Sequence, residues 1–468
     1  MFFRYSLRAL VALGLLTAAT TSMAADASRP NIVVIVGDDM GYHDLGVHGC
    51  KDIPTPHLDA LATSGVRCTS GYVSGPYCSP TRAGLLTGRY QQRFGHEFNP
   101  GPTPTGEIGL PLSETTLADR LKKVGYKTGM VGKWHLGNDE KRHPLSRGFD
   151  EFFGFLGGAR TYFATPGNAS AGTKLLRGRE VVDEKEYLTD AFAREAVAYI
   201  DRSKASPFFL YLTFNAVHTP MEASQKYLDR FTAVSDPKRQ KYCAMMSAMD
   251  DAVGQVVAKL EREKLLENTL IFFVSDNGGP TAANTGDNTP LRGFKATTWE
   301  GGIRVPYFVS WKGKIPAGKT YDQPVIQIDF VPTALAAAGA PAAEKTDGVN
   351  LLPYLTFENK EAPHASLFWR FGPQTAIRHG NYKLVMTRDL DKPALYDLAA
   401  DISETKDLSA DKPEIVAQLT AAYDAWNQEN IPAAWGAPSR AIGNGTPGKK
   451  AGGKKKNKAK VEAATPAS

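Results

Sequence analysis

Two acidic pairs stand out because of the runs they close. Asp38 and Asp39 follow the apolar stretch 31–36, and Asp276 and Asn277 follow another, 270–274. Three carboxylates and one amide oxygen form an all-oxygen donor set suited to a hard divalent cation such as Ca²⁺ or Mg²⁺. Either dipeptide alone is an ordinary turn former, and it is their shared position after wholly apolar runs that gives them weight. No Cys and His pair has zinc-like spacing. The segment 78–89, Cys-Ser-Pro-Thr-Arg-Ala-Gly-Leu-Leu-Thr-Gly-Arg, carries a different chemistry. Ser79 and Pro80 read as a helix start, with a capping hydroxyl and a proline in the first helical position. Cys78 then sits at a helix N-terminus, which favours anions, with Arg82 one turn along. By residue chemistry alone Cys78 is either a low-pKa thiolate nucleophile or an inert buried thiol. Lys133 and His135 follow the run 127–131, His218 lies just past 208–214, and Lys295 ends the segment Thr-Pro-Leu-Arg-Gly-Phe-Lys at 289–295. Taken singly, these are loop lysines and strand-end histidines.

The elements that must position these residues can be read from the apolar pattern. The runs 31–36, 208–214 and 270–274 are continuous and rich in β-branched and aromatic residues, as in strands buried on both faces, with a weaker strand at 127–131. Amphipathic stretches at 113–124, 188–203 and 242–263 predict helices between them. Strands alternating with helices imply an α/β domain on a large, mostly parallel mixed sheet, whose strand carboxyl ends collect ligands. Four strands far apart in sequence thus end in residues fit for chemistry. Beyond 351–354 the texture changes: short strands at 367–371, 375–379, 382–386 and 394–397 precede one helix at about 412–428. This pattern predicts a smaller antiparallel sheet carrying a helix. The expected organisation is a catalytic domain over 27–358, a C-terminal α+β unit over 359–436, and a disordered tail over 437–468.

Cys-x-Pro-x-Arg followed by Leu-Thr-Gly-Arg resembles the signature of the type I sulfatase family. The segment 125–137, Gly-Tyr-Lys-Thr-Gly-Met-Val-Gly-Lys-Trp-His-Leu-Gly, is similar to the family's second signature. The Asp38-Asp39 strand, the Ser-Asp-Asn-Gly-Gly segment at 275–279, and 289–306 also match, so the resemblance spans roughly 31–435 in the family's order. It implies an alkaline-phosphatase-like fold and hydrolysis of sulfate esters. It also implies that Cys78 is converted by a formylglycine-generating enzyme to Cα-formylglycine. On this resemblance Asp38, Asp39, Asp276, Asn277 and residue 78 bind one Ca²⁺, and the aldehyde is held as a gem-diol that attacks sulfur. Arg82 holds the diol, Lys133 and Lys295 neutralise sulfate oxygens, His218 protonates the leaving alcohol, and His135 deprotonates the second hydroxyl. Related folds with the same metal grammar cleave phosphodiesters and phosphonate monoesters, which is the alternative reading. A non-catalytic polyanion-binding protein is a more distant one.

Composition sets the outer limits. With 468 residues, 42% apolar and 22% charged, and only four cysteines, the chain has to be held by packed cores. Its net charge of +6 equals that of the last twenty residues, where seven lysines face one glutamate, so the folded part is not basic and no nucleic-acid partner is expected. Arg4 and Arg8, a short apolar run at 9–16 and small residues at 20–25 read as a signal peptide over 1–24 with cleavage after Ala24. Export to a periplasmic or extracellular space follows, with no transmembrane anchor, since no later run reaches ~18 apolar residues. The loop 91–99 with Arg160, Tyr162, Asn284, Asn288 and Trp299 could reach the mouth of the site. Polar groups beside aromatic platforms suit a sulfated carbohydrate. Cys50 and Cys68 could pair in an oxidising compartment.

Overall fold

The computed structural model describes residues 29–100, 108–164 and 171–436. The expected leader and lysine-rich tail lie outside these. A ten-stranded mixed sheet runs through the molecule. Its centre is five parallel strands, in the order Thr269–Ser275, Asn31–Gly37, Phe208–Thr213, Lys127–Lys133 and Glu151–Phe155. Antiparallel strands flank them, Tyr307–Ser310 on one side and Leu176–Arg177 on the other.

The apolar runs are buried on both faces because each face is covered by helices. Val33 and Ile35 pack with Pro56–Thr63, Leu188–Ser203 and Pro237–Arg262. Ile32, Val34 and Val36 pack with Cys78–Thr87, Leu117–Lys123 and Phe330–Ala337. This is the period-two alternation of a central strand with both faces apolar. Register then aligns the strand ends: Gly37 pairs with Ser275, Val36 with Thr213, and Gly132 with Thr213. Whatever follows these residues emerges at one level of the sheet.

Two helix starts differ from the sequence expectation. The helix expected from 242 begins at Pro237, because Asp236 accepts hydrogen bonds from the Lys238 and Arg239 N–H groups and Pro237 presets the first turn. The one expected from 113 begins at Leu117, where Thr116 and Asp119 form a reciprocal capping box. All four cysteines are free. Cys50 packs on one face of the sheet and Cys68 on the other, so the sheet itself keeps that candidate pair apart.

The strands Ser366–Phe371, Gln374–His379, Tyr382–Met386 and Ala394–Asp397 form a separate antiparallel sheet, and Pro413–Gln428 packs on it. Its other face meets the large sheet's loops through Trp369, whose indole N–H donates to the Val73 carbonyl at 2.7 Å. A wholly buried charge cluster pins the same junction: Lys383 Nζ lies 2.9 Å from Glu300 and 2.8 Å from Glu404. Removing the cation would leave Glu404 without its counter-charge and Glu300 with Arg304 and Tyr72 alone, so Lys383→Met is expected to cost about 3–5 kcal/mol in urea unfolding. Adding Glu404→Gln should recover a substantial part of that loss. A melt unchanged by Lys383→Met would show that the cluster does not hold the junction.

Candidate active site

Six segments converge above the strand ends. Asp38 and Asp39 leave the Asn31–Gly37 strand, and the Asp38 N–H donates to the Ala216 carbonyl at 2.9 Å, tying this turn to the loop that carries His218. Asp39 has φ of 63°, a left-handed backbone that carboxamide and carboxylate residues tolerate better than most. Its N–H reaches Asp276 Oδ1 at 3.3 Å. The Cys78–Thr87 helix enters end-on. Tyr77 holds the N-cap position, and Ser79 does not cap the helix. Ser79 Oγ instead donates to the His135 carbonyl at 2.6 Å and meets His96 Nε2 at 2.6 Å, so it fastens the helix to the loop bearing Lys133 and His135. The helix begins at Cys78, two residues before the start expected at Pro80, and Cys78 lies at its N-terminus as expected.

The charged groups pair in a definite way. Arg82 donates twice to Asp276 Oδ2, from Nε at 3.0 Å and from a terminal nitrogen at 2.8 Å, and its other nitrogen reaches the Lys133 carbonyl at 2.9 Å. Lys133 Nζ lies 2.5 Å from Asp38 Oδ2, with both side chains fully buried. Lys295 Nζ donates to Asp39 Oδ1 at 2.5 Å and lies 3.2 Å from Cys78 Sγ, and Cys78 Sγ lies 3.5 Å from Asp38 Oδ1. Three carboxylates thus face three fixed cations in a water-poor space, where each interaction is stronger than at the surface.

Ionisation follows from these neighbours. Burial pushes Asp38 upward, but Lys133, His218, Arg82 and Lys295 outweigh it and hold the carboxyl below its usual range. Burial and the adjacent Asp38 charge push Asp276 up to about 6. Burial, aided by Asp276, raises the Cys78 thiol well above its ordinary value, so the low-pKa thiolate reading of Cys78 is corrected here. The helix N-terminus is outweighed by desolvation and by neighbouring carboxylates. Burial, with Lys133 and Arg82 beside it, drives His135 well below the usual imidazole range. Burial also lowers His218, against the pull of Asp39 and Asp38. His218 Nδ1 lies 2.6 Å from the Thr219 carbonyl, which can only accept, so Nδ1 carries the hydrogen. Nε2 is left to exchange a proton and stands 3.6 Å from Asp39.

A divalent cation fits this donor set. Ligand atoms of Asp38, Asp39, Cys78 and His218 all lie within 4.8 Å of one another. Asn277 Nδ2 donates to Asp39 Oδ1 at 2.7 Å, while its Oδ1 is buried without a hydrogen-bond partner among the described residues. An orphaned carbonyl oxygen beside carboxylates is what an oxygen-preferring cation would satisfy. Asp276 turns Oδ2 to Arg82 and Oδ1 to the Asp39 N–H.

All ten residues singled out in the sequence are therefore gathered at one place. The residues expected at the mouth are not rim groups. Gln91 pairs with Ser74, Glu97 takes Arg370 and the Gly372 N–H, Asn99 takes the Ser79 N–H, and Asn284 and Asn288 hold the Asp39 and Gly279 carbonyls. Trp299 is buried in the small sheet's core with Arg292 stacked on it at 3.7 Å. These loops run through the interior, where each backbone polar group needs a partner.

Tyr162, expected at the mouth, works from the interior, and two further contributors, Gly158 and Gln374, were not singled out in the sequence. Tyr162 donates its hydroxyl to the carbonyls of Asn215 and His218. Gly158 leaves room for the His135 ring, since a Cβ there would meet it at 2.5 Å. Gln374, on the small sheet, donates to the Ala296 carbonyl at 2.9 Å, and the Ala296 N–H donates to Pro76 at 2.8 Å, bracing the residue after Lys295 in a left-handed backbone of φ 68°. Of Gly158 and Gln374, only Gly158 had a sequence cue, the Gly157-Gly158 pair.

Residues 30–340 match the family model described as Sulfatase, and 294–428 match N-sulphoglucosamine sulphohydrolase, C-terminal. The chain is 36% identical over 395 residues to N-acetylgalactosamine-6-sulfatase of Canis lupus familiaris, spanning 79% of this chain and 74% of that one. Among solved structures, Ps i-CgsB in complex with k-i-k-neocarrahexaose is 36% identical, covering 88% of this chain and 96% of that one with a TM-score of 0.83. Phosphonate monoester hydrolase of Agrobacterium radiobacter shares the fold at 20% identity and a TM-score of 0.63, covering 86% and 95%.

Proposed function

Because the chain belongs to the sulfatase family, we propose that it hydrolyses sulfate esters of a sulfated polysaccharide or oligosaccharide through a formylglycine formed at residue 78. The observation that carries this reading is the placement of Cys78 Sγ, fully buried at the strand ends between Asp38 and Lys295. In the mature enzyme the sulfur position stands for an oxygen of the hydrated aldehyde. Folded protein offers no access to this side chain, so the converting enzyme has to meet the segment before the chain folds, and export by the 1–24 leader fits that order.

Residue 78 as a gem-diol presents two hydroxyls. One gives its proton to Asp276 and attacks sulfur, and the bond from sulfur to the sugar oxygen breaks. In its doubly protonated form His218 delivers the Nε2 proton to that oxygen and keeps the Nδ1 hydrogen on the Thr219 carbonyl, ending as the neutral ring. Lys133 and Lys295 face the sulfate oxygens as charge builds on them, and Arg82 fixes Asp276 and the diol by its planar fork. His135 then takes the proton of the second hydroxyl, the carbon–oxygen bond to sulfate breaks, and the aldehyde returns. Its low proton affinity in the resting site keeps it ready as a base. Asp38, Asp39, Asp276, Asn277 and residue 78 would hold a Ca²⁺ ion, which when bound lowers the cost of an ionised hydroxyl and clamps sulfate oxygens. A carbohydrate substrate is supported by the neocarrahexaose bound to Ps i-CgsB and by the N-acetylgalactosamine-6-sulfatase relatives.

The His218 assignment has a specific consequence. Aryl sulfates lose a stable phenolate and need little acid, whereas sugar alcohols are poor leaving groups. His218→Ala should therefore lower kcat/KM on sulfated oligosaccharides by ~10²–10⁴-fold and on an aryl sulfate far less. Equal losses on both substrates would mean that His218 positions sulfate and that the proton comes from elsewhere.

A further inference from the structure

We propose that Arg160 is a second anion subsite, which receives an additional sulfate or carboxylate group carried by the glycan away from the ester being cut. The inference rests on the sulfated-glycan reading above and adds a recognition residue to it. Arg160 is only 8% exposed. A guanidinium has five donors, yet in this structure Arg160 spends one terminal nitrogen on the Thr173 carbonyl, and its Nε is buried with no hydrogen-bond partner among the described residues. No carboxylate pairs with it among the described residues. Other buried arginines use more of their donors: Arg82 on Asp276 and the Lys133 carbonyl, Arg304 on Glu300 and the Thr69 carbonyl, Arg378 on Tyr72 and the Gly380 carbonyl, and Arg147 on three carbonyl oxygens. A buried cation without a counter-charge is costly to keep, and a polyanionic ligand supplies the missing charge.

Its place in the fold connects it to the reacting centre. The segment after the Glu151–Phe155 strand runs alongside the His135 loop: the His135 N–H donates to the Leu156 carbonyl at 3.0 Å, and Gly158 packs against the imidazole ring. Two residues past Arg160, Tyr162 holds the His218 carbonyl. Arg160 thus sits midway along a bridge whose ends touch His135 and His218. Arg160 itself touches neither histidine, a place that suits a substituent elsewhere on the same glycan and not the sulfate that is cleaved.

Calorimetric binding to the Ca²⁺-supplemented chain that keeps its Cys78 thiol tests this without turnover. Three probes separate the possibilities: a disaccharide with one sulfate on each sugar, the same disaccharide with a single sulfate, and a monosulfated disaccharide with a uronate as the second sugar. Arg160→Met should weaken the doubly anionic probes by about 10–100-fold, the range expected for losing charge-assisted hydrogen bonds, and the monosulfated probe by no more than about twofold. Arg160→Lys should recover part of the loss. Whichever doubly anionic probe loses more identifies the group as sulfate or carboxylate. The melting temperature of Arg160→Met should equal or exceed that of the parent chain, because an uncompensated buried charge has been removed. Equal weakening of all three probes, no weakening, or a marked fall in melting temperature would overturn the assignment. A chain that binds these probes as expected but never releases sulfate once residue 78 is converted would fail the sulfatase reading and leave Arg160 in place.

Discussion

Cys78→Ala is expected to reduce kcat/KM on sulfate esters by roughly 10⁴-fold or more, the scale seen when a covalent nucleophile is removed. The same variant should melt close to the parent chain, because alanine keeps Cβ and the lost sulfur touches charged groups more than apolar ones. Cys78→Ser makes a sharper test. Serine supplies one hydroxyl where a gem-diol has two. It can take sulfate from substrate, but there is no second hydroxyl for His135 to deprotonate, so the sulfate cannot be expelled. The variant should release at most one equivalent of alcohol and retain sulfate on the peptide containing residue 78. Multiple turnovers by Cys78→Ser, measured as free sulfate, would rule out the two-hydroxyl scheme.

The second large effect concerns the oxygen donors. Protein stripped with a chelator should lose turnover, and Ca²⁺ should restore it. Asp38→Ala and Asn277→Ala should each weaken Ca²⁺ binding, measured directly by calorimetry, and should lower activity at fixed Ca²⁺. The two differ in their side effects. Asp38 also takes Lys133 Nζ at 2.5 Å in a fully buried pair, so its loss strands a buried cation and should destabilise the fold by about 3–5 kcal/mol. Asn277 carries an orphaned Oδ1 and no charge but donates Nδ2 to Asp39, so Asn277→Ala should cost about 1–3 kcal/mol, less than Asp38→Ala, while binding falls. If calorimetry detects no Ca²⁺ binding and chelation leaves turnover intact, the oxygen cluster is not a metal site.

How far these residues could be read in the sequence depended on burial. Strands such as Asn31–Gly37 and Thr269–Ser275 are all apolar because both faces are covered, and such runs are visible without any partner in view. The acidic pairs at their ends, and the alignment that brings Lys133 and His218 beside them, follow from parallel register. What escaped were roles set by contacts across long sequence separations. Ser79 looked like a cap because it precedes Pro80, but tertiary contacts with His135 and His96 claim its hydroxyl. The start at Pro237 was missed although Asp236-Pro237 spells a cap, because the apolar period begins only at Tyr242. Gln374 braces a backbone 78 residues away, which no local pattern announces. Trp299 and the 91–99 loop were expected at the mouth of the site because they are polar or amphipathic, whereas their hydrogen bonds are spent inside the protein.

The chemistry assigned to residue 78 is tested most directly by the mass of the tryptic peptide 68–82 from active protein produced alongside a formylglycine-generating enzyme. This peptide holds Cys68 and Cys78, and Cys68 serves as the internal control. The account predicts that Cys68 keeps its thiol while residue 78 has lost sulfur and two hydrogens and gained one oxygen, and that the converted fraction rises in proportion to sulfate-releasing activity. A preparation with full activity in which residue 78 is an unmodified cysteine would contradict it.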